Sequence, residues 1–158
     1  MTPRHYFAYG SNMNPARVRE RGIAFDAVLA GVLPDMRLTF DKRSRHQEGA
    51  GHANIRFAPG EFVAGVLYRL TPPEEILRMD PFEVAPRHYG RDAVWVQTEA
   101  GNVAAWTYFA NAAVTDPTLK PPRWYLQHLL AGREFLPDDY VCRLEAVTCL
   151  DVGPPGSA

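Results

Sequence analysis

The chain has 158 residues, of which 46% are hydrophobic and 22% are charged, and its formal net charge is −1. This length suits one domain whose core needs no disulfide or metal for stability. A charge so close to zero gives no electrostatic reason to expect nucleic acid or an anionic membrane as a partner. Because no apolar run approaches membrane-spanning length and no secretory signal pattern opens the chain, the sequence predicts a cytoplasmic protein.

The first predicted elements meet in a short stretch near the N-terminus. Residues 6–9 predict a buried strand, Gly10 a tight turn, and Asn14 and Pro15 the N-cap and first position of a helix that ends at Gly22. Such a junction directs backbone N–H groups and a helix N-terminus at one point, where a carboxylate or an oxyanion fits. The alternative is a connecting turn that binds nothing.

The next part of the chain predicts strands and one long loop. The predicted strands are 26–32, 36–40, 53–57 and 62–70. Leu33 to Asp35 separate the first two, since proline cannot donate to a strand ladder, and Pro59 and Gly60 form a turn between the last two. The continuous apolar run of the last strand predicts burial on both faces. The polar residues 41–52 predict a long mobile loop, which at this length is often functional.

The second half predicts a hairpin and three helices. The predicted hairpin strands are 92–98 and 103–110, and the predicted helices are 71–79, 121–130 and 138–147. We therefore predict one α+β domain over residues 1–150, a mixed or antiparallel sheet of about six strands that is closed or strongly curled, with helices packed around it. Residues 151–158 predict a flexible tail. Cys142 and Cys149 are predicted to be buried rather than disulfide-bonded.

The sequence offers no positive evidence for a metal or a nucleotide cofactor. The five histidines are scattered, neither cysteine belongs to a C-x-x-C pair, and no phosphate-binding glycine motif occurs. Arginines cluster at 17, 19 and 21 and again at 43 and 45. Since no aromatic residues interleave with them, they predict solvated faces rather than a nucleic-acid platform.

Glu83 is the acid that the sequence singles out. Its neighbours from Met79 to Pro86 are mostly apolar, which predicts a pKa raised by desolvation and suited to proton transfer near neutral pH. The alternative is an exposed loop glutamate. Ser11 follows a strand at a sharp turn, but its flanks do not form the G-x-S-x-G motif of a serine nucleophile. Tyr89 and Tyr108 predict either core packing or a pocket wall.

Several motifs, in order along most of the chain, resemble the gamma-glutamylcyclotransferase family. They are Tyr6-Phe-Ala-Tyr9-Gly10-Ser11-Asn12-Met13, Gly51 to Ile55, Ala64 to Leu70, Met79 to Glu83 followed by Tyr89 and Arg91, and the segment from Tyr125 to Tyr140. The resemblance implies a small curled β-barrel with packed helices. It also implies release of 5-oxoproline and a free amine or amino acid from a γ-glutamyl compound, without a cofactor.

The resemblance assigns roles to particular residues. Glu83 is implied as the general acid and base, because one carboxyl group can take a proton from the substrate amine and return it to the leaving nitrogen. The implied substrate-binding residues are Tyr9, Gly10, Ser11, Asn12, Met13, Tyr89 and Tyr108. The implied partner is a small γ-glutamyl substrate, bound by a monomer or a homodimer that engages neither nucleic acid nor membrane.

Two departures from the family pattern leave other functions open. The family usually has glycine directly after the catalytic glutamate and just before the tyrosine, where this chain has Val84 and His88. Valine does not readily adopt a positive φ, so we expect the loop geometry to differ. Asn12 and Met13 also do not match the Y-G-S-L-I-W of the glutathione-specific branch. The alternatives are a non-catalytic protein that retains the pocket and, more weakly, a hydrolase that uses Ser11.

Overall fold

Five strands form a closed barrel in the computed structural model, which describes residues 2–156. They are β1 (His5–Ala8), β2 (Phe25–Arg43), β3 (Gly51–Leu70), β4 (Tyr89–Thr98) and β5 (Gly101–Ala110). Around the barrel the order is β1-β3-β2-β4-β5, and a parallel pairing of β5 with β1 closes it. The other paired strands are antiparallel. The predicted α+β fold with a closed mixed sheet is confirmed, with five strands instead of about six.

The strand count differs because two long strands bend without ending. The predicted breaks at residues 33–35 and 59–60 lie opposite each other in the β2–β3 pair, where the register shifts between Pro34 and Met36. Asp35 and Gly60 both have positive φ, 58° and 81°, and the Asp35 carboxylate accepts a hydrogen bond from the Gly60 N–H at 2.9 Å. Such an irregularity bends a strand while the ladder continues on either side.

The prediction of a long mobile loop over residues 41–52 is wrong. Residues 41–43 complete β2 and residues 51–52 begin β3, so that only residues 44–50 connect the two strands. The Asp41 carboxylate accepts hydrogen bonds from Asn54 Nδ2 at 3.0 Å and Arg56 Nε at 2.7 Å. The polar side chains in this region thus find hydrogen-bond partners within the sheet. The polar pattern that predicted a loop therefore belongs in part to paired strands.

Four helices pack on the barrel: α1 (Pro15–Glu20), α2 (Ile76–Met79), α3 (Arg123–Leu130) and α4 (Asp138–Glu145). The predicted cap of α1 is confirmed, since the Asn14 side chain accepts a hydrogen bond from the Ala16 N–H at 3.1 Å and Pro15 is the first helical residue. Beyond α3, Gly132 lies so close to the first loop that an added Cβ would be 2.7 Å from the Met13 carbonyl oxygen. This close approach positions α3 against the loop after β1.

The core fills the barrel, and β3 contributes the most continuous part of it. Residues 63–68 of β3 are all buried, which confirms the prediction of a central strand. Cys149 is half-buried, but the prediction of burial is wrong for Cys142, because that residue lies on the exposed side of α4. Within residues 2–156, no helix is long and apolar enough to cross a membrane.

Candidate active site

A cavity of about 450 Å³ lies between the turn after β1, the end of β2 and the segment that precedes β4. Of the predicted site residues, those that line it are Tyr9, Gly10, Ser11, Asn12, Glu83, Tyr89 and Tyr108. Met13 does not line it: this residue is fully buried, and its N–H donates to the Gly10 carbonyl at 2.9 Å. The fold thus brings together residues that are up to about a hundred positions apart in sequence.

The loop after β1 forms a 3-10 turn over Ser11–Met13. Gly10 precedes it with φ −111° and ψ −139°, so the glycine is not needed for a left-handed backbone. It is needed for space, because an added Cβ would lie 3.0 Å from both Ala53 Cβ and the Tyr125 hydroxyl. The Tyr125 hydroxyl also accepts a hydrogen bond from the Ala53 N–H at 3.0 Å. The loop is therefore held tightly against β3 and α3.

Asn12 connects this loop to Glu83. Its Nδ2 donates to Glu83 Oε1 at 3.1 Å and to the Tyr6 hydroxyl at 2.9 Å. Its Oδ1 accepts from an Arg21 guanidinium nitrogen at 3.0 Å, which fixes which end of the amide faces Glu83. The Asn12 carbonyl in turn accepts from the Tyr68 hydroxyl at 2.5 Å. Asn12 is only 3% exposed, so it presents a rigid donor to the Glu83 carboxylate.

The environment of Glu83 acts on its acidity in two directions. Burial disfavours the charged form and raises the pKa of the Glu83 carboxyl, which is the larger effect. The positive charges of Arg21, Lys42 and Arg17, and the hydrogen bond from Asn12, oppose that rise. The net result is a carboxyl group whose pKa lies above the ordinary glutamate value, in a cavity lined by cations. A group of this kind accepts and returns a proton closer to neutral pH than a free glutamate does.

The residue after Glu83 adopts the backbone conformation that the sequence argued against. Val84 has φ 50° and ψ 40°, in the left-handed region, so the expectation that valine avoids a positive φ at this position is wrong. Its carbonyl accepts hydrogen bonds from the N–H groups of Arg87 and His88, each at 2.9 Å. These contacts hold the strained conformation in place. The turn that presents Glu83 therefore keeps a glycine-like backbone without a glycine.

Three predicted tyrosines surround the cavity and use their hydroxyl groups in the fold. Tyr9 donates to the Tyr108 carbonyl at 2.5 Å, and Tyr89 donates to the Ala53 carbonyl at 2.8 Å. Tyr108 donates to Asp80 Oδ1 at 2.6 Å. Burial raises the pKa of each of these phenols, so that they stay neutral.

Asp80 belongs to the support of the cavity wall. In addition to the hydrogen bond from Tyr108, it is paired with Arg91 through two contacts at 2.9 and 3.2 Å. The Arg91 guanidinium also lies over the Trp106 ring at 4.3 Å from its centroid. An acid that is paired in this way is less available for proton transfer than Glu83.

Four cations at the cavity were missed as site residues: Arg17, Arg21, Lys42 and Arg45. The prediction that both arginine clusters form solvated faces holds for Arg19, Arg43 and Arg45, which are all exposed, although Arg45 also lines the cavity. Arg43 pairs with Asp116 at 3.6 Å. The prediction is wrong for Arg17 and Arg21, whose i, i+4 spacing places them on one side of α1. This spacing, directly after the Y-G-S-N loop, could have identified both arginines as site residues. No comparable pattern marked Lys42, because it lay inside the predicted loop.

The histidines at the cavity do not form a serine triad. His52 stacks on Tyr125 with ring centroids 4.4 Å apart, and burial lowers its pKa to about 3, which keeps it neutral. His52 Nε2 is buried without a hydrogen-bond partner within the described residues, and His128 Nδ1 pairs with Asn14 Nδ2 at 3.1 Å. Among the described residues, no histidine that lines the cavity is hydrogen-bonded to the Ser11 side chain. Residues 2–156 also contain no group of three His, Cys, Asp or Glu side chains placed to bind a metal ion.

Comparison with known proteins identifies the family of this chain. Residues 6–127 match the family model "Gamma-glutamyl cyclotransferase, AIG2-like". The chain belongs to this family, as its motifs predicted. A search of curated protein sequences found no match.

Solved structures agree with the family. One named "Gamma-glutamyl cyclotransferase" is 25% identical, with a TM-score of 0.81 over 97% of this chain and 93% of the other. An uncharacterized protein from Homo sapiens is also 25% identical, with a TM-score of 0.83 over 99% and 95% of the two chains. A yeast gamma-glutamyl cyclotransferase described as specific to glutathione shares the fold at 13% identity, with a TM-score of 0.62 over 91% of this chain and 94% of that one.

Proposed function

We propose that this protein is a gamma-glutamylcyclotransferase, which releases 5-oxoproline and a free amine or amino acid from a γ-glutamyl compound by intramolecular aminolysis. The observation that carries the proposal is the Glu83 carboxyl, which faces the cavity, accepts a hydrogen bond from Asn12 and has a raised pKa. Family membership and the 25% identical structure named for this activity support it. The cytoplasmic location and the monomeric or homodimeric state stay predictions from the sequence.

The chemistry requires one group that both takes and gives a proton. The Glu83 carboxylate removes a proton from the α-ammonium group of the substrate. The freed nitrogen attacks the γ-carbonyl carbon, so that a carbon–nitrogen bond forms and closes the five-membered lactam. The bond from that carbon to the leaving nitrogen then breaks, and protonated Glu83 returns the proton to this nitrogen. The ring nitrogen, cationic after the attack, gives its second proton to the released amine, so that the products are a neutral lactam and an ammonium group. Because nucleophile and electrophile belong to one molecule, the cavity contributes mainly by holding a near-attack conformation.

The other predicted site residues have supporting roles in this proposal. The backbone of Gly10, Ser11 and Asn12 would face the α-carboxylate of the substrate or the oxyanion that develops on the γ-carbonyl. Tyr9, Tyr89 and Tyr108 would form the wall that orients the glutamyl chain. We leave out Met13, whose N–H is already bonded within the turn. Asn12 would be a positioning residue, because it acts on the substrate through Glu83.

A non-catalytic binding protein that retains the γ-glutamyl pocket is the second candidate. The observation that favours it is the presence of Val84 and His88 where the family usually has glycine. The left-handed conformation of Val84 reduces the weight of this argument, since valine here adopts a backbone conformation that glycine favours. The two functions differ in whether any γ-glutamyl compound is turned over.

The test replaces Glu83 by glutamine, which keeps the shape and some hydrogen bonding but cannot accept a proton. With γ-glutamyl amines and dipeptides as substrates, we expect 5-oxoproline release to fall by about 10²–10⁴-fold, while binding measured by calorimetry survives. Glu74→Gln is the matched control, because Glu74 is exposed and does not line the cavity. The wild-type rate should rise with pH through an apparent pKa above that of free glutamate.

Two results would decide against the proposal. Wild-type turnover in Glu83→Gln would show that another acid transfers the proton, with Asp80 the first to test because it lies beside Tyr108. Binding of a γ-glutamyl compound by the wild-type protein with no 5-oxoproline from any member of the panel would favour the non-catalytic alternative.

A further inference from the structure

The cavity has a strong excess of positive charge. Among the described residues that line it, four are cations at neutral pH, Arg17, Arg21, Lys42 and Arg45, and one is an acid, Glu83. The whole chain has a formal net charge of −1, so the excess is local and not a consequence of composition. Excess charge of one sign in a concave site attracts a ligand of the opposite sign.

The cations form two groups on different elements. Arg17 and Arg21 lie on α1 and at its C-terminal cap. Lys42 lies near the end of β2, paired in register with His52 of β3, and Arg45 follows in the connection between the two strands. The charges of Arg21, Lys42 and Arg17 all act on Glu83, so the reacting acid lies within the field of both groups.

Lys42 is the most informative of the four. Its side chain is only 3% exposed although it lines the cavity. Within residues 2–156 it has no ion pair or hydrogen-bonded acid, and its ammonium group lies over the Tyr89 ring at 5.5 Å from the centroid. Burial lowers the pKa of Lys42 to about 8, with the nearby Glu83 charge opposing the shift. A buried cation without an acidic partner is costly for the fold, which is typical of a residue kept for a ligand.

A γ-glutamyl group has one carboxylate of its own, the α-carboxylate. One carboxylate does not neutralise four cations, so the cavity keeps an excess of positive charge when a γ-glutamyl group is bound. We propose that Lys42 and Arg45 form an anion subsite for the leaving portion of the substrate, and that the preferred substrates are γ-glutamyl compounds of an acidic amino acid. The assignment rests on the proposed cyclotransferase function. Both residues are specificity-determining and take no part in the proton transfer.

The test compares two substrates that differ in one group. γ-Glutamylglutamate and γ-glutamylglutamine have the same length and shape, but only the first has a carboxylate at the end of the leaving side chain. We expect kcat/KM for the release of 5-oxoproline to be about tenfold or more higher for the acidic substrate, since a hydrogen bond to a buried charged group contributes that much. The ratio should fall as NaCl is added, because salt screens the interaction.

Variants assign the preference to the subsite. Lys42→Met keeps the length of the side chain without its charge, and Arg45→Gln removes the second cation; each should bring the ratio of kcat/KM values towards one. Arg43→Gln is the matched control, because Arg43 is close in sequence but pairs with Asp116 outside the cavity. It should leave the ratio unchanged. Lys42→Arg, which retains the charge, should keep most of the preference, and thermal unfolding verifies that each variant is folded.

The outcomes separate this inference from the proposed function. Equal kcat/KM values for the two substrates, with 5-oxoproline released from both, would overturn the anion subsite and leave the cyclotransferase function standing. A wild-type preference that survives unchanged in both Lys42→Met and Arg45→Gln would overturn the assignment to these residues. If neither substrate is turned over, the panel of γ-glutamyl amines and dipeptides decides the proposed function, and calorimetry with the same pair decides the subsite. Tighter binding of γ-glutamylglutamate that is lost in Lys42→Met supports the subsite, and equal binding overturns it.

Discussion

Replacement of Val84 by glycine tests the strained turn that presents Glu83. Val84 is half-buried and has φ 50°, a conformation that costs an L-residue about 1–3 kcal/mol. Glycine removes this strain but makes the unfolded chain more flexible, which costs about 0.5–1 kcal/mol, and it loses part of the burial of the valine side chain. These effects oppose each other, so we expect the stability of Val84→Gly to stay close to that of the wild type.

The informative comparison is between Val84→Gly and Val84→Ala. Both variants lose the isopropyl group, but alanine keeps a Cβ in the left-handed conformation, at a cost of about 1–2 kcal/mol. The greater flexibility of glycine in the unfolded chain offsets part of this cost. Val84→Gly should therefore be more stable than Val84→Ala by about 0.5–1 kcal/mol. For a chain of this length such a difference corresponds to roughly 2 °C in Tm. At ordinary positions the order is the reverse.

Urea denaturation followed by circular dichroism measures both variants. Val94 supplies the matched control, because it is also half-buried but lies within β4, where Val94→Ala should be at least as stable as Val94→Gly. If Val84→Ala proves more stable than Val84→Gly, residue 84 does not have a left-handed backbone and the reasoning is refuted. Val84→Gly should also keep the turnover of the wild type, since the position of Glu83 does not change.

Three further predictions concern the site. Asn12→Leu removes the donor to Glu83 Oε1, so the pKa of Glu83 should rise further and the ascending limb of the pH–rate profile should move to higher pH; an unmoved limb would contradict the positioning role. Tyr108→Phe removes the hydroxyl that donates to Asp80 at 2.6 Å and should lower the free energy of unfolding by about 1–3 kcal/mol. A loss below about 0.5 kcal/mol, the size of an ordinary surface substitution, would mean that Asp80 has enough hydrogen-bond partners without Tyr108. The pKa of Glu83 is raised in the folded state, so its contribution to stability is present below the unfolded pKa and is lost as pH rises through the folded pKa. As pH increases, the wild type should therefore lose stability relative to Glu83→Gln. A difference in denaturant midpoints that stays constant with pH would count against this prediction.

Local sequence determined the elements whose signals are complete within a few residues. Asn14 and Pro15 begin a helix because a side-chain oxygen and a fixed φ satisfy the first turn by themselves. The apolar run of β3 is buried because nothing polar interrupts it. The order of several short motifs along the chain identified the family, and the apolar neighbours of Glu83 correctly indicated the direction of its pKa shift.

Only the tertiary structure decided features that depend on distant contacts. Turn signals at Asp35 and Gly60 predicted the end of a strand, yet the two residues face each other across a ladder that continues past them. Val84 adopts a left-handed backbone because hydrogen bonds from later residues hold it there, which outweighs its own preference.

The four cations that line the cavity are the clearest case. Lys42 reads as a loop residue in sequence, and it becomes a buried cation only because β2 continues to Arg43 and pairs with β3 opposite the turn that holds Glu83. The other cations of the cavity come from α1 and from the loop after β2. No local pattern in the sequence shows that α1 and the end of β2 lie beside the same cavity. Periodicity and capping act over a few residues, whereas the charge around Glu83 is set by how the closed barrel brings these elements together.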